Sequence, residues 1–344
     1  MRVALFLLCV GTVLVYSPLR RASFVYEDSN AVFANPAVIG QQPIQIFRAR
    51  WLSATSHRIV WTLAGDRPVV HHAVNLGLHL VNGLLVYAIA SVFLVPVAAW
   101  MASALYLLHP LNTEAVAYVA SRSELLAACL ALFAFWRSLT AVTWKQHLLV
   151  WTATVLAICA KESAVVVIPL MGLMDIFRGC RAFVSRYVAL LIPAALMAYS
   201  VWQLDYLSIS ELTPWQYAAT QAYAVWSYLG LIVLPIGQTV DHDFELIAFG
   251  WRYLALYGLV CLACVPLIFS SWADNEGQGH VRLWAGADRM RMIAFGCLWL
   301  VVAIIPRLIM RIPELLNEHQ MLFPAIGVWI AIAACVTPTE RTVL

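Results

Sequence analysis

The chain has 344 residues, of which 63% are hydrophobic and 11% charged, and its mean hydropathy is +0.82. That composition excludes a soluble globular protein and leaves room for about ten spans of ~20 apolar residues, with no large soluble domain. The net charge of +3 is small and scattered along the chain, which argues against nucleic acid as a partner.

Arg2 and the apolar run to Tyr16 predict an uncleaved first span over 3–17 rather than a signal peptide. Ser17-Pro-Leu-Arg-Arg21 follows, with no small-x-small cleavage site. A long first outer loop covers 18–71. Apolar runs then predict spans over 72–94, 96–108, 123–141, 147–160, 163–177, 183–200, 252–270, 292–306 and 319–336. Within an outer-face segment, 201–251, Thr213-Pro214 opens a further helix over 215–235 and Pro235-Ile-Gly237 closes it. No repeat of about 34 residues is visible. The eight cysteines lie in or at the ends of apolar segments, without CxxC spacing beside histidines. They read as small core residues rather than disulfides or a metal site. The expected fold is all-α and polytopic: about ten transmembrane helices plus an outer-face interfacial or re-entrant helix, in a single membrane-embedded domain over 1–344.

Basic residues in short loops set the orientation. Arg2, Arg137 with Lys145, the trio Arg178, Arg181 and Arg186, and the trio Arg282, Arg289 and Arg291 all fall inside only if helix 215–235 does not cross. Its Trp215, Tyr217, Tyr223, Trp226 and Tyr228 suit an interfacial position. Five polar clusters then share the outer face: Tyr26-Glu27-Asp28, His109-Pro-Leu-Asn-Thr-Glu114, Lys161-Glu162, Asp241-His242-Asp243 and Asn317-Glu318-His319. Ionisable groups at a membrane edge are costly to hold there and are functional-site candidates by default. The plainer reading is that each cluster caps a helix at the headgroup layer. Five on one face weaken it.

A carboxylate just outside a span can serve as a general base. Glu27 and Asp28 are adjacent, so on a helix they point about 100° apart and only one is expected to meet a substrate. Asp28 is the expected base, with Glu27 as the alternative. Arg67 and Lys161 are candidate phosphate ligands, since cations at a membrane edge attract phosphate. Lys161 is expected to pair with its neighbour Glu162. Asn75, His79 and Asn82 share one helix face, and interhelical hydrogen bonding is their expected role ahead of substrate contact.

Phe24-Val-Tyr-Glu-Asp28, Asn35-Pro36, Arg67-Pro68 and the Asn75, His79, Asn82 stripe resemble the opening of the transmembrane and tetratricopeptide-repeat family of O-mannosyltransferases and their bacterial relatives. His109-Pro-Leu-Asn-Thr-Glu-Ala-Val-Ala117 with Ser121-Arg-Ser-Glu-Leu125 is similar to the family's His-Pro-x-x-x-Glu-Ala-Val pattern. Lys161-Glu162, Thr220-Gln221, Asp241-His242-Asp243 and Asn317-Glu318-His319 follow in family order. The likeness covers about 20–330, without the family's repeat domain. The first loop has Glu-Asp where the family usually has Asp-Asp or Asp-Glu.

The resemblance implies a C-type glycosyltransferase, moving mannose or another hexose from a polyprenyl-phosphate donor to a hydroxyl of a protein or glycan, with inversion. It implies Glu27, Asp28 and Glu114 as the acidic residues of the active-site cavity. Arg67, Lys161, Glu162, His242, Glu318 and His319 are the candidate donor-phosphate and substrate-binding residues. No cofactor is called for with certainty, and a divalent metal is left open. The expected setting is a multi-pass protein of a bacterial inner membrane, or of the endoplasmic reticulum in a eukaryote, with the site facing periplasm or lumen and membrane lipid around it. A transporter or a catalytically inactive scaffold is the alternative. The transporter would place its charges near the midplane and show internal repeats.

Overall fold

The structure is a computed structural model. It describes residues 1–344 except 26, 47, 179–186, 193, 196–197, 200–212, 240–241, 243–250, 274–288, 311–314 and 337–344. Among the described residues all regular structure is helical. In chain order the α-helices are α1 Arg2–Val15, α2 Trp51–Ala64, α3 Pro68–Phe93, α4 Pro96–Leu108, α5 Thr113–Ala117, α6 Arg122–Ser138, α7 Trp144–Ala160, α8 Val167–Phe177, α9 Pro214–Val233, α10 Trp251–Ala273, α11 Arg289–Ile309 and α12 Ala325–Val336.

The all-helical class stands, but the count of about ten spans is corrected. Among the described residues three helical stretches are long and apolar enough to cross a membrane: Pro68–Phe93, Val119–Ser138 and Arg289–Ile309. Arg2–Val15, α4, Arg252–Pro266 within α10, and α12 are apolar stretches of 10–17 residues. α4 has 13 residues and α12 has 12. At ~1.5 Å per residue such helices reach roughly 20 Å, against a hydrocarbon core of about 30 Å. Proline sets several of these boundaries. Pro68 and Pro96 start α3 and α4 at the position where a missing N–H costs nothing. Pro110 ends α4 by pushing His109 into an extended conformation, φ −69° and ψ 131°. Thr143 with Gln146, and Thr213 with Gln216, cap α7 and α9 reciprocally. Parts of the predicted span 183–200, and most of the outer segment 201–251 apart from α9, lie outside the described residues.

Short helices leave orphan carbonyls, and the α3 stripe meets several of them. His79 Nε2 donates to Leu107 O at 3.1 Å, in the last turn of α4. Asn75 Nδ2 donates to Tyr118 O at 3.1 Å, in the turn between α5 and α6. Asn82 Nδ2 donates to Leu125 O at 3.0 Å. All three side chains are fully buried, so the stripe binds helix to helix.

Two close crossings set the core. A Cβ on Gly83 would lie 2.4 Å from Leu107 Cγ, which brings α3 against α4. A Cβ on Gly327 would lie 2.3 Å from Gly296 O, so α11 and α12 touch backbone to backbone. The seven described cysteines are all free.

Candidate active site

The first loop reaches its acidic pair through a single wide turn, Ser29–Phe33, closed by Ala34 N–H to Ser29 O at 2.8 Å. Val32, Val38 and Val119 pack there as a small apolar cluster beside Phe24, Phe33 and Trp61. This cluster pins the loop to the turn Val119–Ser121 that precedes α6. Asp28 completes the attachment. It is 0% exposed, its Oδ1 accepts from Ala120 N–H at 2.8 Å, and its Oδ2 accepts from Val25 N–H at 3.1 Å. Burial raises its proton affinity, while those backbone bonds and the nearby Arg122 charge pull it down.

Glu27 is exposed. Tyr118 Oη accepts from Glu27 N–H at 3.1 Å and donates to Glu27 Oε2 at 3.3 Å. Asp28, the expected base, thus has no exposed surface and both of its oxygens bonded to backbone, while Glu27, the alternative, is the exposed carboxylate of the pair.

Arg122, fully buried at the start of α6, supports this corner. Its Nε donates to Asn75 Oδ1 at 2.9 Å and its Nη2 to His71 O at 3.1 Å. Neither Arg122 nor Tyr118 stood among the candidate residues read from the sequence. The signal was a lone arginine inside an apolar helix start, which is expensive unless paired.

Glu114 and the Glu318–Met321 turn meet on the far side of Tyr118. His319 N–H donates to Glu114 Oε2 at 2.8 Å, and His319 Nδ1 lies 2.7 Å from Oε1. The ring of His319 sits 6.1 Å from that of Tyr118. Glu318 is buried and accepts from Gln238 Nε2 at 2.8 Å and Thr239 N–H at 3.2 Å, with His242 Nε2 at 3.1 Å. Asp241 and Asp243 lie outside the described residues. His109 is structural: Nε2 donates to Ile232 O at 3.0 Å, and Nδ1 accepts from Leu111 N–H at 3.2 Å.

A cleft of about 720 Å³, open solvent included, adjoins this turn through Gln320 and Phe323. Its walls carry Ala127, Ala131, Val166 and Ile304, and its charges are Arg50, Lys161, Arg307, Glu124 and Glu162. The expected Lys161–Glu162 pair is corrected. Lys161 Nζ pairs with Glu124 of α6, and Glu162 pairs with Arg50 of the first loop. Arg50 Nε reaches both Glu162 oxygens, at 3.2 and 3.0 Å. Burial works to raise the Glu162 pKa, but the Arg50 charge and its bonds, with Lys161 nearby, hold it at about 2. Arg50 has a left-handed backbone, φ 61°, at the N-cap of α2. Arg307 Nε donates to Gln221 Oε1 at 3.0 Å. Arg50, Glu124 and Arg307 were not among the sequence candidates. Arg67 was, but it stands exposed at the cap of α3 and does not line the cleft. Among the described residues no group of three or more His, Cys, Asp or Glu is placed to hold a metal ion.

An exposed carboxylate at Glu27 and an apolar-walled cleft carrying Arg50, Lys161 and Arg307, set among helices of membrane-crossing length, define a helical protein with polar clusters held on an apolar scaffold. Comparison with known proteins gives that class its relatives. The chain is 26% identical over 305 residues to protein O-mannosyl-transferase F38B6.6 of Caenorhabditis elegans, covering 79% of this chain and 43% of the relative. It is 31% identical over 177 residues to protein O-mannosyl-transferase Tmtc1 of Drosophila melanogaster, 45% of this chain and 20% of that protein. Human protein O-mannosyl-transferase TMTC1 is 34% identical over 149 residues, 38% of this chain and 17% of that protein. The resemblance drawn from the sequence thus holds, and the chain spans less than half the length of these relatives. No protein-family model and no solved structure matches.

Proposed function

We propose that this chain is a membrane glycosyltransferase that moves mannose or a related hexose from a polyprenyl-phosphate donor to a hydroxyl of a protein acceptor. The reading rests on one observation above others. Glu27 is an exposed carboxylate oriented by Tyr118, and Tyr118 also adjoins the His319 turn that borders the cationic cleft.

In the proposed step Glu27 takes the proton of the acceptor hydroxyl. The acceptor oxygen attacks the anomeric carbon as the bond to the phosphate oxygen breaks. One displacement inverts that carbon. Polyprenyl phosphate leaves with the electron pair, changing from a phosphodiester to a more negative monoester. Lys161, Arg50 and Arg307 lie where they can stabilise that growing charge, in a cleft whose apolar walls strengthen each interaction. Lys161 and Arg50 hold carboxylates here, so donor binding exchanges Glu124 or Glu162 for phosphate. Asp28 anchors the loop. Glu114 fixes His319, and Glu318 gathers Gln238, Thr239 and His242 at the rim.

The site is proposed to face the periplasm or lumen, with α9 held at that face without completing a crossing. Single-cysteine labelling on either side of α9, from outside the membrane, tests the topology. The reaction is tested with purified protein, a radiolabelled mannosyl donor on polyprenyl phosphate and a serine- and threonine-rich acceptor. Label in the acceptor, with anomeric configuration opposite to the donor's, is the expected result. Absence of transfer, or retention of configuration, contradicts the proposal.

A further inference from the structure

The turn that follows α1, Ser17–Arg21, ends in two exposed arginines. Arg20 Nε donates to Ser17 O at 3.3 Å, which folds the side chain back over its own turn. There Arg20 forms part of the wall of a groove of about 780 Å³, open solvent included, between α1 and the start of α3. The groove lies apart from the cationic cleft and shares no lining residue with it. Its walls are largely apolar, and several of them are uncovered: Leu14 is 66% exposed, Val13 44% and Val69 42%.

We propose that this groove seats an anionic phospholipid of the surrounding membrane, with its phosphate on Arg20 of the groove wall, the charge of the neighbouring exposed Arg21 adding to the attraction, and one acyl chain along Val13, Leu14, Val69 and Leu76. The charge is complementary, since arginine can hold phosphate through two parallel bonds. The apolar length behind the cations suits a chain anchored at its head. Tyr16, also in the wall, is a residue type enriched at the headgroup level. In the topology proposed above, a pair of arginines directly after α1 lies on the outer side, against the usual bias of basic residues toward the cytoplasm. An anionic ligand gives them a reason to be there. The inference rests on the membrane setting and stands apart from sugar transfer.

Native mass spectrometry of the purified full chain tests it, with phosphatidylglycerol and phosphatidylcholine of identical acyl chains titrated separately. The account expects one phosphatidylglycerol retained at roughly tenfold lower concentration than phosphatidylcholine, from two cations near a phosphate. In Arg20→Gln/Arg21→Gln that preference disappears while weak binding of both lipids persists. Ala73→Trp, which fills the groove from an exposed position, removes the retained lipid with the melting temperature unchanged. Equal retention of both lipids, a preference that survives the double substitution, or retention unaffected by Ala73→Trp each overturns the proposal. Polyprenyl phosphate displacing phosphatidylglycerol one for one also overturns it, because the groove then belongs to the donor.

Discussion

Tyr118 meets Glu27 twice, accepting from its backbone N–H at 3.1 Å and donating to its carboxylate at 3.3 Å. One phenol thus fixes both the position of the residue and the direction of its side chain. Tyr118→Phe keeps the ring against His319 and removes both bonds. A hydrogen bond of this kind is worth about 1 kcal/mol, so kcat is expected to fall roughly tenfold with the donor KM unchanged. Steady-state kinetics at varied donor concentration check this.

Asp28 has the opposite character. Asp28→Asn turns an amide N–H2 toward one of two backbone donors and leaves that donor unmet. The expected effect is a loss of stability of about 1–3 kcal/mol, read as a lower melting temperature in detergent. Activity falls with the folded fraction rather than through the chemical step.

The Arg50–Glu162 pair gives a pH signature. Glu162 has a folded pKa of about 2, below its ordinary value of 4.5. The stability it contributes is fully present above its unfolded pKa and is lost as pH falls from about 5 toward 2, on the order of 3 kcal/mol. Melting temperatures of wild type and Glu162→Gln should therefore converge across that window. Curves that stay parallel through it would remove the pair from the account.

Lys161 and Arg67 separate by position. Lys161→Gln is expected to raise the donor KM at least tenfold, because the proposed reaction loses a cation for the donor phosphate. Arg67→Gln, at an exposed helix cap, should leave kinetics within about twofold of wild type. Comparable losses in both variants would restore Arg67 to the site.

The crossing of Gly296 and Gly327 tests the scaffold. Gly327→Ala puts a methyl 2.3 Å from Gly296 O and about 2.7 Å from Trp299 Cβ. Overpacking of that kind costs about 1–3 kcal/mol, measurable as a lower melting temperature with no new chemistry.

The α3 stripe was legible because a period of 3.6 puts Asn75, His79 and Asn82 on one face, and buried polar groups in an apolar setting must bond to protein. The two carboxylates at 27 and 28 were not separable in the same way. Adjacency fixes an angle between side chains but not which one the fold buries, and that depended on backbone donors at Val25 and Ala120. Lys161 and Glu162 misled for a related reason. Neighbours in a tight turn point apart, and their partners came from 37 and 112 residues away. An apolar run shows where a helix lies without showing its length: Pro96 and Pro110 hold α4 to 13 residues, short of a bilayer's width.

The most direct measurement compares sugar transfer by purified wild type and Glu27→Gln from the same polyprenyl-phosphate donor, with donor binding measured alongside. The exposed side chain makes the substitution structurally mild. The account expects turnover to fall about 10²–10⁴-fold while donor binding and melting temperature hold, the usual effect of removing a general base. Near-normal turnover in Glu27→Gln, with Asp28→Asn folded but inactive, would contradict it and make the buried carboxylate the base.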